Sequence, residues 1–100
     1  MEDFKSVVLN NTTYTEIKIS GKIKTGLFYC DEDILIDFNP KHDKSNADSS
    51  FLWPKDTIFG IDKDDTESYE KAYQNRKFNR IFVKLNSATT GNFYYVFRIW

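Results

Sequence analysis

Several residue types that chemistry depends on are nearly missing from this chain. Its 100 residues hold one cysteine, Cys30, and one histidine, His42. A single cysteine forms no internal disulfide, which fits a reducing compartment, and one cysteine with one histidine builds no zinc site of the usual composition. A nucleophilic serine or cysteine needs a base within hydrogen-bond reach. His42 stands between Lys41 and Asp43 in the most polar stretch, where a solvated loop histidine is the simpler reading. Cys30 precedes Asp31-Glu32-Asp33. Their negative charge opposes thiolate formation, so Cys30 reads as a structural cysteine, not a reactive one. The four glycines, Gly21, Gly26, Gly60 and Gly91, are scattered and compose no phosphate-cradling loop, so no cofactor is expected. No apolar run approaches the roughly 20 residues of a membrane span. Met1-Glu2-Asp3-Phe4-Lys5 has neither a basic nor an apolar leader region. The expected place is the cytoplasm, with no membrane partner.

Acidic residues are also missing, but only from one end. From Lys71 to Trp100 there is no acid, while Lys71, Arg76, Lys77, Arg80, Lys84 and Arg98 give that stretch a charge of +6. Between Asp31 and Glu70, by contrast, twelve carboxylates face four lysines, for a net −8. The formal total of −1 hides this separation. A field so arranged steers partners and does not dictate a fold.

What is abundant is aromatic: nine Phe, six Tyr and two Trp. Each buries on the order of 150–250 Å², so a few supply most of a small core. One hundred residues suit a single domain, residues 1–100, with no linker signal dividing it. Phe4 to Leu9 reads as a first strand, followed by an Asn10-Asn11 turn. Tyr14 to Lys24 alternates, with Ile17, Ile19 and Ile23 to one side and Glu16, Lys18, Ser20, Lys22 and Lys24 to the other. That is a strand with one wet face, and Gly21 suggests a bulge or bend within it. Leu27-Phe28-Tyr29-Cys30, Ile34–Phe38 and Thr57–Ile61 are further strands. Asn39–Ser50 is a long polar loop of the kind that is functional or mobile. A helix of about three turns is expected from near Glu67 to Phe78, capped by Asp65 or Thr66, with Tyr69, Ala72 and Tyr73 on its apolar stripe. Ile81–Leu85 and Phe93–Trp100 then read as a hairpin around Asn86–Asn92. The second of these is apolar on both faces apart from Arg98, as in a central strand or a homodimer interface. The expected fold is α+β: an antiparallel, strongly curved sheet or partly open barrel of about six strands, with one short helix before the C-terminal hairpin.

Candidate chemistry is thin. Asp62-x-Asp64-x-Thr66 opens like a calcium loop, but Glu67 stands where glycine is needed and Tyr73 where the closing glutamate is needed. No metal is expected. Acid–base work on a sugar needs two carboxylates at a fixed separation. Only Asp37, between Ile36 and Phe38, is set apart by its flanks, and it reads as an outward-facing strand residue. The expectation is therefore a non-enzymatic protein-binding domain. Its sharpest form is a small acidic inhibitor or immunity protein that neutralises a basic toxin or nuclease. The contacts would be Asp31, Glu32, Asp33, Asp62, Asp64 and Asp65, with Trp53 as an aromatic anchor if it is exposed. The alternative is a nucleic-acid-binding module in which Arg76, Lys77, Arg80, Lys84 and Arg98 track phosphates beside Phe78, Phe82, Tyr94 and Tyr95.

Overall fold

A computed structural model describes residues 4–38, 51–72 and 77–99. Among these described residues eight strands and one helix follow in the order β1 (Lys5–Leu9), β2 (Thr15–Lys18), β3 (Ile23–Cys30), β4 (Ile34–Asp37), β5 (Phe51–Trp53), β6 (Phe59–Asp62), α1 (Lys63–Ala72), β7 (Arg80–Leu85) and β8 (Gly91–Ile99). All the pairings are antiparallel. They divide the strands into two four-stranded sheets: sheet A, in the order β1-β8-β3-β6, and sheet B, in the order β2-β7-β4-β5. The α+β class and the antiparallel pairing agree with the sequence. The strand count and the division into two sheets do not follow from it. Among the described residues, no helix is long and apolar enough to cross a membrane. The long polar stretch after Phe38, with His42, lies outside the described residues.

The division begins at Gly21. The alternation of Ile17, Ile19 and Ile23 looks like one strand, and all three side chains are buried. The backbone nevertheless leaves sheet B after Lys18 and enters sheet A at Ile23. Gly21 turns the corner at φ 130°, a conformation that L side chains resist. A Cβ there would also lie 2.7 Å from Ile99 Cγ2. Ile19 N–H donates to the Asn79 carbonyl at 2.8 Å, so the chain stays tied to sheet B as it turns. A bent strand serving two sheets preserves its inward face through the corner.

The C-terminal strands depart from expectation more sharply. β7 and β8 form no hairpin: β7 lies between β2 and β4, and β8 between β1 and β3. The segment between them carries the chain from one sheet to the other. β7 is held by older neighbours, since Leu85 N–H donates to the Asn10 carbonyl at 2.9 Å and Asn86 N–H to the Asp33 carbonyl at 3.0 Å. Asn10 also accepts at Oδ1 from the backbone and hydroxyls of Thr12 and Thr13, at 2.9 to 3.2 Å. This is an asparagine turn that fixes the β1–β2 connection. The doubly apolar β8 is a central strand.

Both inner faces feed one core. Leu9, Phe28, Cys30, Ile61 and Phe93 come from sheet A, and Ile17, Ile34, Ile36, Ile81, Val83 and Leu85 from sheet B. Phe28 is its hub, with ring centroids at 4.9 Å from Phe59, 5.7 Å from Phe97, 5.9 Å from Phe93 and 6.3 Å from Phe38. Tyr69 on α1 stacks on Phe38 and Phe78 at 5.3 and 5.6 Å, which docks the helix onto the core.

The helix lies about one turn earlier than its sequence pattern suggests. Its N-cap is Asp62, not Asp65 or Thr66. Asp62 Oδ1 accepts from Asp65 N–H, and Asp65 Oδ2 accepts from Asp62 N–H, both at 2.9 Å. Each carboxylate thus satisfies a backbone donor that the first helical turn leaves open. Thr66 and Tyr69 face inward, while Ala72 is exposed; Tyr73 is outside the described residues. Phe78 lies beyond the helix, buried, with its N–H donating to Glu70 Oε2 at 2.9 Å. Asp62→Ala should therefore cost about 1 kcal/mol and lower Tm by roughly 4–8 °C. A helix capped at Thr66 would barely respond, so thermal and urea unfolding of this variant distinguish the two N-termini.

Candidate functional site

Strand alternation gives sheet A an outer face as well as an inner one. Across that face the strand register sets four rows. Val8 stands opposite Asn92; Ser6, Tyr94 and Tyr29 share the next row; Val96, Leu27 and Gly60 the third; Arg98, Thr25 and Asp62 the last. From strand spacings the face is roughly 20 Å by 15 Å. It is not a wet face of the ordinary kind. Val8 is 65% exposed and Leu27 43%, while Tyr94 and Val96 are half-buried between them. The Tyr29 and Tyr94 rings sit 5.9 Å apart. Ile58, 68% exposed, precedes β6 on the same alternation as Gly60.

One end of this face is acidic. Asp31 Oδ1 accepts from Asn92 N–H at 2.9 Å, and its Oδ2 from the Asn92 side chain at 3.4 Å, so its carboxylate adjoins the Val8–Asn92 row. Asp33 Oδ1 accepts from Lys55 N–H at 2.8 Å, which pins the β5–β6 turn beside the β3–β4 turn. Asp56, in that pinned turn, takes φ 56° and accepts the Tyr29 hydroxyl at 2.7 Å. Its N–H donates to the Cys30 carbonyl at 2.9 Å. Glu32 lies against Gly91, where a Cβ would meet its Cγ at 3.1 Å. Asp31, Asp33 and Asp56 are thus fixed by hydrogen bonds at one edge of an apolar face, with Glu32 beside them. In the sequence little sets Asp56 apart from the other carboxylates of the acidic middle. Its only signal is a turn position after Pro54 that tolerates positive φ.

The other proposed contacts are distributed differently. Asp62 lies opposite Thr25 on β6, six residues along β3 from Asp31, or about 20 Å. The Asp62, Asp64 and Asp65 group therefore forms a separate patch, and two of its three carboxylates are engaged in the helix cap. Glu67 in the same helix pairs with Lys22 and Lys63 at 3.5 and 3.7 Å. Trp53 is half-buried, 4.1 Å from the Phe59 ring, and its Nε1 donates to the Thr57 carbonyl at 3.4 Å. It packs on the core and is no free anchor. Asp37 is not an outward solvated residue: it is fully buried and engaged, beside the buried Phe82 with which it is in register. The outer face of sheet B is closed over at this row, and the Arg80 guanidinium lies 5.7 Å from the Phe82 centroid.

The cations do not form one surface. Arg80 and Lys84 belong to β7 in sheet B, whereas Arg98 lies on the outer face of sheet A. Arg80 pairs with Glu16 at 3.6 Å, and Lys84 sits 4.7 Å over the Tyr14 ring. Lys77 is exposed near the helix, and Arg76 lies outside the described residues. Phe78 and Phe82 are buried and Tyr95 packs against the core, which leaves only Tyr94 of the four aromatics on an open outer face.

Cys30 is buried, and that burial raises its thiol above the ordinary value; backbone hydrogen bonds at Glu32 and Asp31 oppose the shift, and the charges of the same two residues add to it. Among the described residues no group of three or more His, Cys, Asp or Glu is placed to hold a metal ion. No protein-family model matches the chain, and no curated protein or solved structure shows significant similarity to it.

The Tyr29–Asp56 bond has a measurable consequence. Its acceptor, followed by desolvation and the charges of Asp56 and Asp31, raises the Tyr29 phenol above its ordinary 10.0. The folded state thus holds this proton more tightly than the unfolded one. Stability from this bond is present below about pH 10 and is lost as pH rises through the folded value. An absorbance titration at 295 nm should show one tyrosine ionising late, and Asp56→Asn should return it toward the ordinary range. Asn tolerates the positive φ, so the fold should persist.

Proposed function

We propose that this chain is a non-enzymatic protein-recognition domain that binds a basic partner through the outer face of sheet A. The observation that carries this reading is the continuity of an exposed apolar, tyrosine-bearing face with the Asp31, Glu32, Asp33 and Asp56 edge. A desolvated apolar centre with tyrosines, bordered by charge, is the usual anatomy of an interface. The acidic edge favours a basic surface on the other side and would speed encounter with it. Inhibitors and immunity proteins that neutralise a toxin or nuclease use such surfaces, and this is the role we infer, in the cytoplasm. The Asp62, Asp64 and Asp65 group then contributes long-range field and not direct contact. Along Gly91–Tyr95 β1 occupies one hydrogen-bonding edge of β8, and β3 occupies the other from Phe93 on, so a homodimer built on the shared part of the strand would use this same outer face. The nucleic-acid reading has less support, since its cations are split between two sheets.

The test is capture of the basic partner from source cells with its neighbouring gene products co-expressed, followed by binding kinetics over a salt series. Leu27→Glu, at the centre of the face, should weaken affinity by about thirtyfold or more, as for a central interface residue. Glu32→Lys should mainly slow association and flatten its salt dependence, as rim charges do. A partner whose binding ignores both variants but is lost with Arg80→Ala and Lys84→Ala would reject this face.

A further inference from the structure

The inner face of β8 is not covered along its whole length. Phe93 is fully buried, but Tyr95, Phe97 and Ile99, further along the same face, are only half-buried. They should be core by their alternation, yet β2, an edge strand of sheet B, runs only to Lys18 before the chain turns away at Gly21. The two sheets part at this end and leave a cleft of about 450 Å³, within the range of roughly 300–1,000 Å³ typical of small-molecule sites. Phe4, Tyr95, Phe97 and Ile99 give it an apolar wall, and Lys5 and Lys18 stand on it from different sheets. Lys5 is in register with Tyr95, an inward position on β1. Among the described residues no carboxylate lines the cleft, and neither lysine is in an ion pair. Lysines so placed lay their methylene stems along apolar surface and hold the ammonium at the water boundary.

We propose that this cleft binds a small amphipathic anion, an alkyl or aryl group carrying a carboxylate or similar head. The apolar body lies along Phe97 and Ile99, and the head sits between Lys5 and Lys18. Two unpaired cations over an apolar wall select against neutral and cationic molecules of the same size. The site shares only Val96 with the outer face of sheet A and does not depend on the recognition role inferred above.

The experiment is a two-dimensional NMR titration of the full chain with octanoate, 1-octanol and octyltrimethylammonium. Octanoate should give saturable shifts at Tyr95, Phe97 and Ile99, and bind about three- to thirtyfold more tightly than 1-octanol, as expected for two partly solvated charge contacts. Octyltrimethylammonium should bind most weakly. In the Lys5→Ala, Lys18→Ala double variant, whose amide spectrum reports that it remains folded, octanoate and 1-octanol should become equivalent. Absence of saturable shifts at those three residues would overturn the proposal. So would equal affinity for the three head groups, or an octanoate preference that survives in the double variant.

Discussion

The packing of Phe28 is the contact on which the rest of the structure depends. It sits on β3, which alone is paired to both β6 and β8 and is also packed by the helix. Its ring meets Phe59, Phe93 and Phe97 within sheet A and Phe38 after β4 of sheet B. Phe38 passes the contact to Tyr69 and Phe78, so the helix and the approach to β7 rest on the same cluster. Each four-stranded sheet has a hydrophobic face that must be buried against another layer. A chain of this length can support them only by letting one aromatic cluster serve both sheets and the helix.

That economy leaves surfaces uncovered. The core is filled from the inner faces of both sheets, so nothing in the described chain lies over Val8, Leu27 and Tyr94. The largest apolar patch on a small domain, commonly a few hundred Å², is often a functional surface. The cleft beside Ile99 has a related origin: a four-residue β2 cannot oppose the full length of a nine-residue β8. Both features arise because the sheets share one core but differ in extent.

The carboxylates show how a conspicuous sequence feature takes on local work. Asp31 and Asp33 close neighbouring turns, Asp56 holds Tyr29, Asp62 and Asp65 cap α1, and Glu70 fixes Phe78. Much of the acidic middle is therefore backbone chemistry, because turns and a helix start leave N–H groups that short acidic side chains satisfy. Charge counting found Asp31, Glu32 and Asp33 as a group but not their union with Asp56 or their separation from Asp62. The apolar face beside them was legible only as a doubly apolar last strand. Its exposed partners, Val8 and Leu27, lie on strands remote in sequence.

The sequence by itself determined the local units: which segments alternate as strands, that Gly21 interrupts one of them, that Cys30 is a structural thiol, and that β8 is apolar on both faces. These follow from side-chain periodicity and backbone permissiveness, which act over a few residues. Tertiary structure alone decided that β7 and β8 part company, that α1 starts at Asp62, that Asp37 is buried, and which acids meet. Each depends on which strand edges find one another across the shared core. Pairing partners compete through distant hydrogen bonds and packing, and a local pattern carries no record of the winner.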